Sequence, residues 1–472
     1  MPVVSRLAPH LAAAARRLRA LAPSAPESPA GRVGATNWSG SVAFGHERLA
    51  APTSEEEIVR ALALARRGGQ GMRVIGGGHS FSPLVATGGT LLSLDRYQGL
   101  VRVDPASGLV TLRGGTRLHA IAPLLAAHGL MLETMGDIDH QSIAGAIQTG
   151  THGTGHAFTG FAGTVRGLRI ALADGSLLDV DAERDADLFQ AARLGLGAFG
   201  VICEVTLQTV PAYRLAMVET TEPIDDVAAG FVRTSAQHDH QEFFWFPGTA
   251  RATVRTSTRV GADAPVVRVP RPLELLQTEV LGNGAFGALC RAAAAVPALS
   301  GPVAEIASRG FTGPAVTDDA PRVYVAPRRV RFHESEWAIP AERFAEAFDA
   351  LRRRLAADRV RVTFPLEIRR IGADDVWLST AYGRDTVYIA AHRYRAEDPA
   401  SYLRLVQEVL APFAARPHWG KQHGLTAAQL RPLYPRFDDA RAVRDQADPD
   451  GLFLTPYLRD LLGPARAGAT PV

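Results

Sequence analysis

One lysine stands apart from the other basic residues of this chain. Fifty-one side chains are lysine or arginine, and only Lys421, in the stretch RPHWGKQHG, is a lysine. A compositional preference explains the arginines, and a single lysine at a solvated position could be chance. However, lysine carries a compact ammonium on a slim stem, whereas arginine carries a broad planar fork. A narrow site that needs one point charge would favour lysine, so Lys421 is a candidate functional residue.

A second candidate pair lies in the stretch PLEIRR. Glu367 and Arg369 are two residues apart in a segment that reads as a strand, so their side chains should point to the same face of a sheet. An ordinary cross-strand ion pair is one interpretation. The other is a site in which the arginine binds substrate oxygens and the carboxylate orients or deprotonates a hydroxyl.

Three glycine-rich segments indicate a ligand. They are GGGHSFSP at 76–83, GAIQTGTHGTG at 145–155 and LGLGAFGVICEV at 194–205. Glycine lets backbone N–H groups approach a phosphate closely, although each segment alone could be a simple turn. The nicotinamide fingerprint fits poorly, because Phe81 occupies the place of its third small residue. Three separated loops suit a long cofactor that is held at several points.

The histidines do not predict a metal centre. His152 and His156 are four residues apart, but glycines between them disfavour a helix, and no neighbouring carboxylate or thiol completes a site. His238 and His240, in QHDHQE, read as part of an exposed charged turn. We therefore predict no metal.

Composition narrows the functional class. The net charge is only +3, and no block of basic residues interleaved with aromatics predicts nucleic-acid binding. Cys203 and Cys290 stand in apolar settings and give no disulfide framework, which predicts a reducing, cytoplasmic location. Arginines interrupt the apolar N-terminal stretch, so residues 1–33 read as an amphipathic helix and linker, and no transmembrane segment is predicted.

The elements that would position these residues form an α+β pattern in two parts. Residues 34–212 mix short strands with helices such as the one predicted from SEEEIVRALALARRGG. Residues 213–416 contain longer strands, such as EFFWFP and VTFPLEIRRI, and long helices. Residues 417–472 form a tail rich in proline, aspartate and arginine that could pack onto either part.

Motifs from all of these segments together resemble one family. They run in order from about Asn37 to Leu461 and are TNWSG, GGGHSFSP, GDIDHQSIAGAIQTGTHGTG, LGAFGVICEVTLQ, EFFWFP, PLEIRR and HWGK. The chain resembles the vanillyl-alcohol-oxidase-like flavoproteins, and within them the aldonolactone oxidases, which include arabinonolactone and gulonolactone oxidases and the related alditol oxidases. The resemblance implies a two-subdomain FAD-binding domain at 34–212, an α+β substrate (cap) domain at 213–416 and a C-terminal segment that returns to the flavin.

The resemblance also implies a cofactor site. The first glycine loop would hold the pyrophosphate, and His79 matches a histidine that many members bond covalently to the flavin. Gly145 and Ala146 would lie closest to the flavin ring. The residues implied to contact FAD are Gly76, Gly77, Gly78, His79, Ser80, Ser142, Gly145, Ala146, Thr149, Thr151, His152, Gly153, Gly200, Val201, Ile202 and Lys421.

Five residues are implied to act in the reaction. Arg369 would bind substrate oxygens, and Glu367 would orient or deprotonate the reacting hydroxyl. Lys421 would face the flavin N1 and C2 carbonyl region and balance the negative charge of the reduced ring. His418 would support the turn that carries Lys421, and His392 resembles a histidine near the substrate.

The implied reaction is oxidation of a sugar 1,4-lactone by hydride transfer from a carbinol carbon to flavin N5. Oxygen or another acceptor would then reoxidise the flavin. Alditol oxidation is the first alternative, although Ala146, at a position where a small polar substrate contact is expected in alditol oxidases, favours a lactone. Oxidation of a pentose linked to polyprenyl phosphate and a catalytically inactive flavin-binding module are further alternatives.

Overall fold

The computed structural model describes residues 33–310 and 312–465. The predicted N-terminal helix and linker, at residues 1–33, therefore lie almost entirely outside the described residues and stay a prediction.

The first part of the chain is built around two sheets. Its strands, numbered in chain order, are β1 (Val33–Thr36), β2 (Ala43–His46), β3 (Arg48–Ala50), β4 (Met72–Ile75), β5 (Thr90–Ser93), β6 (Leu100–Asp104), β7 (Leu109–Arg113), β8 (Leu130–Met131), β9 (Val165–Ala171), β10 (Leu177–Asp181), β11 (Val201–Gln208) and β12 (Val210–Pro211). A parallel sheet has the order β3-β5-β4, and an antiparallel sheet has the order β10-β9-β11-β7-β6. The strand predicted before the first glycine loop is β4, and the loop begins where this strand ends.

The helix predicted from SEEEIVRALALARRGG is confirmed as α1 (Glu55–Arg67). The side chain of Ser54 accepts a hydrogen bond from the Glu57 N–H at 3.4 Å and caps the helix. Acidic residues in the first turn and arginines in the last turn match the helix dipole. The other helices of this part are α2 (Leu118–Ala126), α3 (Ile143–Gln148), α4 (Phe161–Thr164) and α5 (Ala186–Ala192).

The second part is centred on one eight-stranded antiparallel sheet. Its strands are β13 (Tyr213–Pro223), β14 (His240–Trp245), β15 (Arg251–Gly261), β16 (Val316–Asp319), β17 (Phe332–Pro340), β18 (Leu366–Ile371), β19 (Thr386–Tyr394) and β20 (Arg416–Pro417), in the order β16-β13-β15-β14-β18-β19-β17-β20. Its α-helices are α6 (Ile224–Ser235), α7 (Arg271–Leu275), α8 (Phe286–Ala295), α9 (Ser300–Gly310), α10 (Ala320–Tyr324), α11 (Phe344–Ala357) and α12 (Ala400–Leu410). A π-helical segment (Leu276–Ala285) joins α7 to α8, and 3-10 turns cover Pro297–Leu299, Ala341–Arg343 and Ala411–Phe413.

The two faces of this sheet differ in chemistry. On β18, Leu366 and Ile368 are fully buried in an apolar core that includes residues of α11 and α12. Glu367 and Arg369 alternate with them and point to the opposite face, as the sequence predicts. The strand is shorter than the stretch VTFPLEIRRI that predicts it, because it begins at Leu366, directly after Pro365, which has no N–H for the ladder.

The C-terminal segment packs onto the core of the first part. Its helices are α13 (Ala427–Leu430), α14 (Phe437–Ala447) and α15 (Pro456–Leu462), with a 3-10 turn at Arg431–Leu433. Trp419, Tyr434 and Leu458 share one apolar core with Leu118 and Ile143. Since β20 belongs to the sheet of the second part, this segment crosses from one part to the other and resolves the alternative that the sequence left open.

Candidate active site

A cleft opens where the first glycine loop meets α3. The predicted cofactor residues that line the cleft are Gly76, Gly77, Gly78, His79, Ser80, Ser142, Gly145, Thr149, Gly200 and Ile202. The structure therefore brings all three glycine-rich segments to one cleft.

Two of the predicted cofactor residues face away from the cleft. Ala146 is fully buried in the core of the first part, whereas its neighbours Ala144 and Gly145 line the cleft. Val201 faces a core that contains Cys203, because alternate residues of β11 point to opposite sides. The position of Ala146 removes the basis on which it favoured a lactone over an alditol. Gly153 lines neither this cleft nor the adjoining cavity described below, but a small cavity beyond Arg369.

Close packing explains two of the glycines in the first loop. A Cβ at position 76 would lie 2.2 Å from Ser142 Oγ, and one at position 77 would lie 2.6 Å from the His140 carbonyl oxygen. Gly78 has a φ of +65°, which other residues rarely adopt. The loop thus packs tightly against residues 140–142 while its other side lines the cleft.

His79 offers the cleft an unpartnered nitrogen. Its ring stacks on Trp38 at 5.8 Å and on His140 at 6.1 Å between centroids, and its buried Nδ1 has no hydrogen-bond partner. Burial, with the nearby His140 and Lys421, lowers the pKa of His79 to about 4, so the ring is neutral at pH 7. A buried nitrogen without a partner at the edge of a ligand cleft fits a residue that contacts or bonds to a cofactor such as FAD.

A second cavity adjoins the cleft and contains most of the predicted catalytic residues. His79, Ser80, Gln141 and Thr149 line both spaces. The predicted residues that line the second cavity are His79, Ser80, Thr149, Thr151, His152, Glu367, Arg369, His418 and Lys421. The cavity is polar and buried between the two parts of the chain, with β17 and β18 forming one wall.

Glu367 and Arg369 form an ion pair with each other inside this cavity. Arg369 Nε also donates to Glu242 Oε2 on the neighbouring strand β14 at 2.8 Å, so Arg369 takes part in a cross-strand ion pair, and a role in substrate binding stays a prediction. Burial raises the pKa of Glu367 despite the nearby Arg369 and Arg328. Burial alone would also raise the pKa of Glu242, but Arg369 and Arg255 lower it. The two carboxylates thus differ: Glu242 anchors the arginine, and Glu367 holds a proton more readily.

Lys421 lies against both the glycine loop and β17. Its Nζ is 2.6 Å from Glu334 Oε2 and 4.9 Å from the centre of the Phe81 ring. The Phe81 N–H donates to the Gly420 carbonyl at 2.7 Å, which ties the first glycine loop to the turn that carries Lys421. The predicted link between these two motifs therefore has a direct backbone contact.

His392 lies behind the carboxylates and not on the cavity wall. Its Nδ1 bonds to the Pro365 carbonyl oxygen at 2.9 Å, and its ring meets Phe332 edge-on. Its Nε2 is 3.6 Å from Glu334 Oε1 and 3.8 Å from Glu367 Oε2. This placement supports an action through the two glutamates and not a direct contact with substrate.

His418 belongs to a buried group with His152 and Glu336, whose potential ligand atoms lie within 4.8 Å of one another. Sequence reasoning found no carboxylate to complete a metal site, and the fold supplies one from β17. However, the Gly420 N–H donates to His418 Nδ1 at 3.1 Å, so this nitrogen has a lone pair and the ring proton is on Nε2. Burial lowers the pKa of His418 to about 4, so the ring is neutral.

His152 is held differently. Its Nδ1 donates to the Gly153 carbonyl oxygen at 2.9 Å, and its Nε2 lies 3.4 Å from Glu336 Oε1. Burial alone would raise the pKa of Glu336, but His152 holds it well below its usual range. One ring nitrogen of His152 and one of His418 are already hydrogen-bonded to the backbone, and the prediction of no metal stays a prediction.

His240 corrects the prediction of an exposed turn. It begins β14 and is only 2% exposed. Its Nδ1 donates to the Thr154 carbonyl oxygen at 2.6 Å, and its Nε2 accepts from the Tyr324 hydroxyl at 2.9 Å. The unbroken run of polar residues in QHDHQE gave no sign that a buried strand begins within it.

Comparison with known families settles the affiliation of the chain. A sequence model described as D-arabinono-1,4-lactone oxidase matches residues 205–461, and one described as FAD binding domain matches residues 47–181. The first match covers more than half of the chain. The chain belongs to the D-arabinono-1,4-lactone oxidase family.

Two relatives in this family cover nearly the whole chain. An L-gulono-1,4-lactone dehydrogenase from Mycobacterium tuberculosis is 39% identical over 443 residues, which are 91% of this chain and 99% of the relative. An alditol oxidase from a Streptomyces species is 32% identical over 444 residues, which are 90% of this chain and 98% of the relative.

The fold of this family member also matches a solved structure. The crystal structure of a cholesterol oxidase from B. sterolicum superposes with a TM-score of 0.74 over 93% of this chain and 99% of that chain. At 18% identity this likeness shows the fold alone, an α+β fold that joins an FAD-binding domain to a large antiparallel-sheet domain. None of the helices in the described residues is both long and apolar enough to span a membrane.

Sequence reasoning missed several charged residues in the cavity of this family member. They are Asp137, Arg328, Glu334 and Glu336, with Glu242 behind them. Arg328 forms an ion pair with Asp137 and lies 3.5 Å from Glu367 Oε2. A signal existed only on β17, where Glu334 and Glu336 are two residues apart in the stretch FHESEWAIP and share one face of a strand; an arginine among fifty gives none.

Proposed function

We propose that this chain is an FAD-dependent oxidoreductase that oxidises a carbinol of a sugar 1,4-lactone. The observation that carries the proposal is the cavity in which Glu367, Arg369 and Lys421 meet beside the cleft of the FAD-binding domain. FAD, when bound, supplies the acceptor for the hydride that leaves the carbinol carbon. The family affiliation and the two relatives support a lactone or a polyol as the substrate.

The residues of the cavity suit distinct tasks. Arg369 presents a guanidinium that is held by two carboxylates and can bind substrate oxygens. Glu367 has a raised pKa and can orient the hydroxyl and take up its proton. Lys421 brings a compact positive charge to the side of the cavity that borders the cleft. His79, at that border, is positioned to bond to FAD.

The substrate that fits this cavity is small and rich in hydroxyl groups. Charged groups of both signs line its wall, including Asp137, Arg328 and Glu336, and these groups can bond to many oxygens. An apolar substrate would displace water from these charged groups and offer no hydrogen bonds in return, which is costly in a buried site. A lactone is favoured by the higher identity to the gulonolactone dehydrogenase, and an alditol is the second candidate.

Anaerobic bleaching of the purified yellow protein tests the proposal. A panel of sugar lactones and alditols is added without oxygen, and the loss of flavin absorbance is followed. Wild-type protein should bleach with at least one lactone, and Glu367→Gln should bleach at least about a hundredfold more slowly, the lower end of the range for a lost acid–base group. Arg431→Gln, at an exposed arginine of the C-terminal segment, is the matched control and should bleach like wild type.

Two results would contradict the proposal in different ways. Protein that holds FAD but bleaches with no member of the panel would be a flavin-binding module without this activity. Bleaching by alditols alone would replace the lactone by a polyol. Admitting air, or an artificial acceptor, after bleaching then identifies what reoxidises the cofactor. A cytoplasmic location stays a separate proposal.

A further inference from the structure

Glu334 is a buried carboxylate that holds the ammonium of Lys421. Its side chain is only 5% exposed, and its Oε2 lies 2.6 Å from Lys421 Nζ. Its other oxygen, Oε1, lies 3.6 Å from Nε2 of His392, which is itself fixed by the Pro365 carbonyl oxygen. Because Oε2 is held at hydrogen-bond distance by Nζ, the carboxylate is oriented toward Lys421.

The same strand also fixes the backbone of the turn that carries Lys421. The Gln422 N–H donates to the Glu334 carbonyl at 2.9 Å, and the His418 N–H donates to the Glu336 carbonyl at 2.9 Å. Lys421 therefore has backbone anchors on either side and a side-chain anchor at its tip, all supplied by β17. Such a turn can place one charge within a narrow range of positions.

Glu334 partly neutralises the charge of Lys421, but the ammonium still acts electrostatically on groups at the cleft. Burial alone would raise the pKa of Glu334, but Lys421 and His392 together lower it to about 2, so Glu334 is ionised at neutral pH. The ammonium also acts on His79 at the border of the cleft, where it adds to burial and His140 in lowering the pKa of that histidine. The FAD site thus faces a lysine whose charge is partly cancelled from behind.

We infer that Glu334 is a positioning residue that fixes the Lys421 ammonium and sets how much positive charge the FAD site receives. The inference rests on the proposed function, because it requires FAD beside Lys421. Reduction adds negative charge to the cofactor, so a nearby ammonium favours the reduced form and a carboxylate behind it opposes that effect. Glu334 therefore lowers the reduction potential that Lys421 alone would give.

The midpoint potential of the bound cofactor tests this inference. It is measured by reductive titration with reference dyes on holoenzyme. Glu334→Gln should shift the potential upward, Lys421→Met should shift it downward, and Glu334→Asp, whose carboxylate is one methylene shorter, should lie between wild type and Glu334→Gln. General disturbance of the fold would not be expected to raise the midpoint potential in Glu334→Gln, raise it less in Glu334→Asp and lower it in Lys421→Met.

A double variant isolates the action through Lys421. In Lys421→Met, Glu334 is buried without its ammonium partner and should take up a proton. Adding Glu334→Gln to Lys421→Met should therefore leave the potential unchanged, whereas the same substitution raises it in the wild-type background. Glu397→Gln is the matched control, since Glu397 pairs with Arg393 outside the cavity, and its potential should equal that of wild type.

The outcomes separate the two proposals. A potential that is unchanged or lower in Glu334→Gln would overturn the inference about Glu334 and leave the proposed function standing. An equal upward shift in both backgrounds would also overturn it, because Glu334 would then act directly and not through Lys421. If Glu334→Gln does not retain FAD, the comparison of Glu334→Asp with wild type decides the sign. A wild-type protein that binds no FAD would defeat the proposed function, and the inference with it.

Discussion

His79 is the residue for which a bond to the cofactor can be tested directly. Its Nδ1 is buried without a partner, and its neutral ring stands at the border of the FAD cleft. A neutral imidazole has the lone pair that covalent attachment requires. We expect wild-type protein to keep its yellow colour after acid precipitation and His79→Ala to release FAD into the supernatant, as measured by absorbance.

His140→Ala is the control for this prediction. Its ring stacks on His79 at 6.1 Å, but its side chain is 73% exposed and outside the cleft. The colour should stay with the pellet in this variant. Release of FAD from acid-treated wild-type protein would show that the cofactor is held without a covalent bond.

The candidate catalytic residues that the sequence could predict are those with an unusual type or spacing. Lys421 stands out among arginines, and Glu367 and Arg369 stand out by their alternation on a strand. Asp137 and Arg328 have no such signal, because they reach the cavity from separate loops through contacts that only the fold creates. The resemblance supplied Ala146 and Val201 as cofactor residues, but the phase of a helix and of a strand decided that both face the core.

At the scale of elements, a buried arginine joins the segments around the FAD cleft. Arg73, on β4, is 2% exposed and donates to four backbone carbonyls from three other segments. Its partners are the carbonyl oxygens of Leu84 at 2.8 Å, Leu196 at 2.5 Å, Gly197 at 2.9 Å and Phe453 at 3.0 Å. Burial lowers the pKa of Arg73 to about 10, which still leaves it charged at pH 7.

Replacing this side chain should loosen the cleft and the C-terminal segment together. Arg73→Leu leaves buried carbonyls unsatisfied, at a cost of about 1–3 kcal/mol for each one that water cannot reach. We expect a clear fall in thermal midpoint and a weaker affinity for FAD, measured by calorimetry and by fluorescence titration. Arg67→Leu, at the exposed end of α1, should change both by little. Equal behaviour of the two variants would show that Arg73 does not join these segments.

Helices and strands whose caps and hydrophobic pattern lie within one stretch could be predicted from the sequence. The way these elements pack against distant segments could not. The cap at Ser54 and the charges at both ends of α1 are all within the stretch that forms the helix. The C-terminal segment has no local signal for its partner, because Trp419 and Tyr434 reach a core that also contains Leu118 and Ile143, which lie far earlier in the chain. The sequence indicated an α+β fold in two parts, but not the parallel three-stranded sheet or the eight-stranded order.

Stability against acid belongs to the whole molecule, because several histidines are buried in different places. Burial lowers the pKa of four histidine side chains to about 4; they are His79, His240, His418 and His423. In the unfolded chain a histidine has a pKa of about 6.5. The unfolded state therefore binds more protons between these two values, and the free energy of unfolding falls as pH decreases from about 6.5 to about 4.

His240→Asn should weaken this pH dependence. Asparagine can still donate to the Thr154 carbonyl as Nδ1 of His240 does, but it does not take up a proton in this range. A shift of the His240 pKa from 6.5 in the unfolded chain to about 4 in the folded chain adds up to about 3 kcal/mol to the free energy of unfolding at pH 7. This contribution is lost as the pH falls toward 4. Thermal midpoints between pH 7 and pH 4.5 should fall less steeply in His240→Asn than in wild type, while His128→Asn, at an exposed position, should follow wild type. Parallel curves for wild type and His240→Asn would mean that the acid sensitivity arises at other groups, since His240 itself would then titrate alike in the folded and unfolded chain.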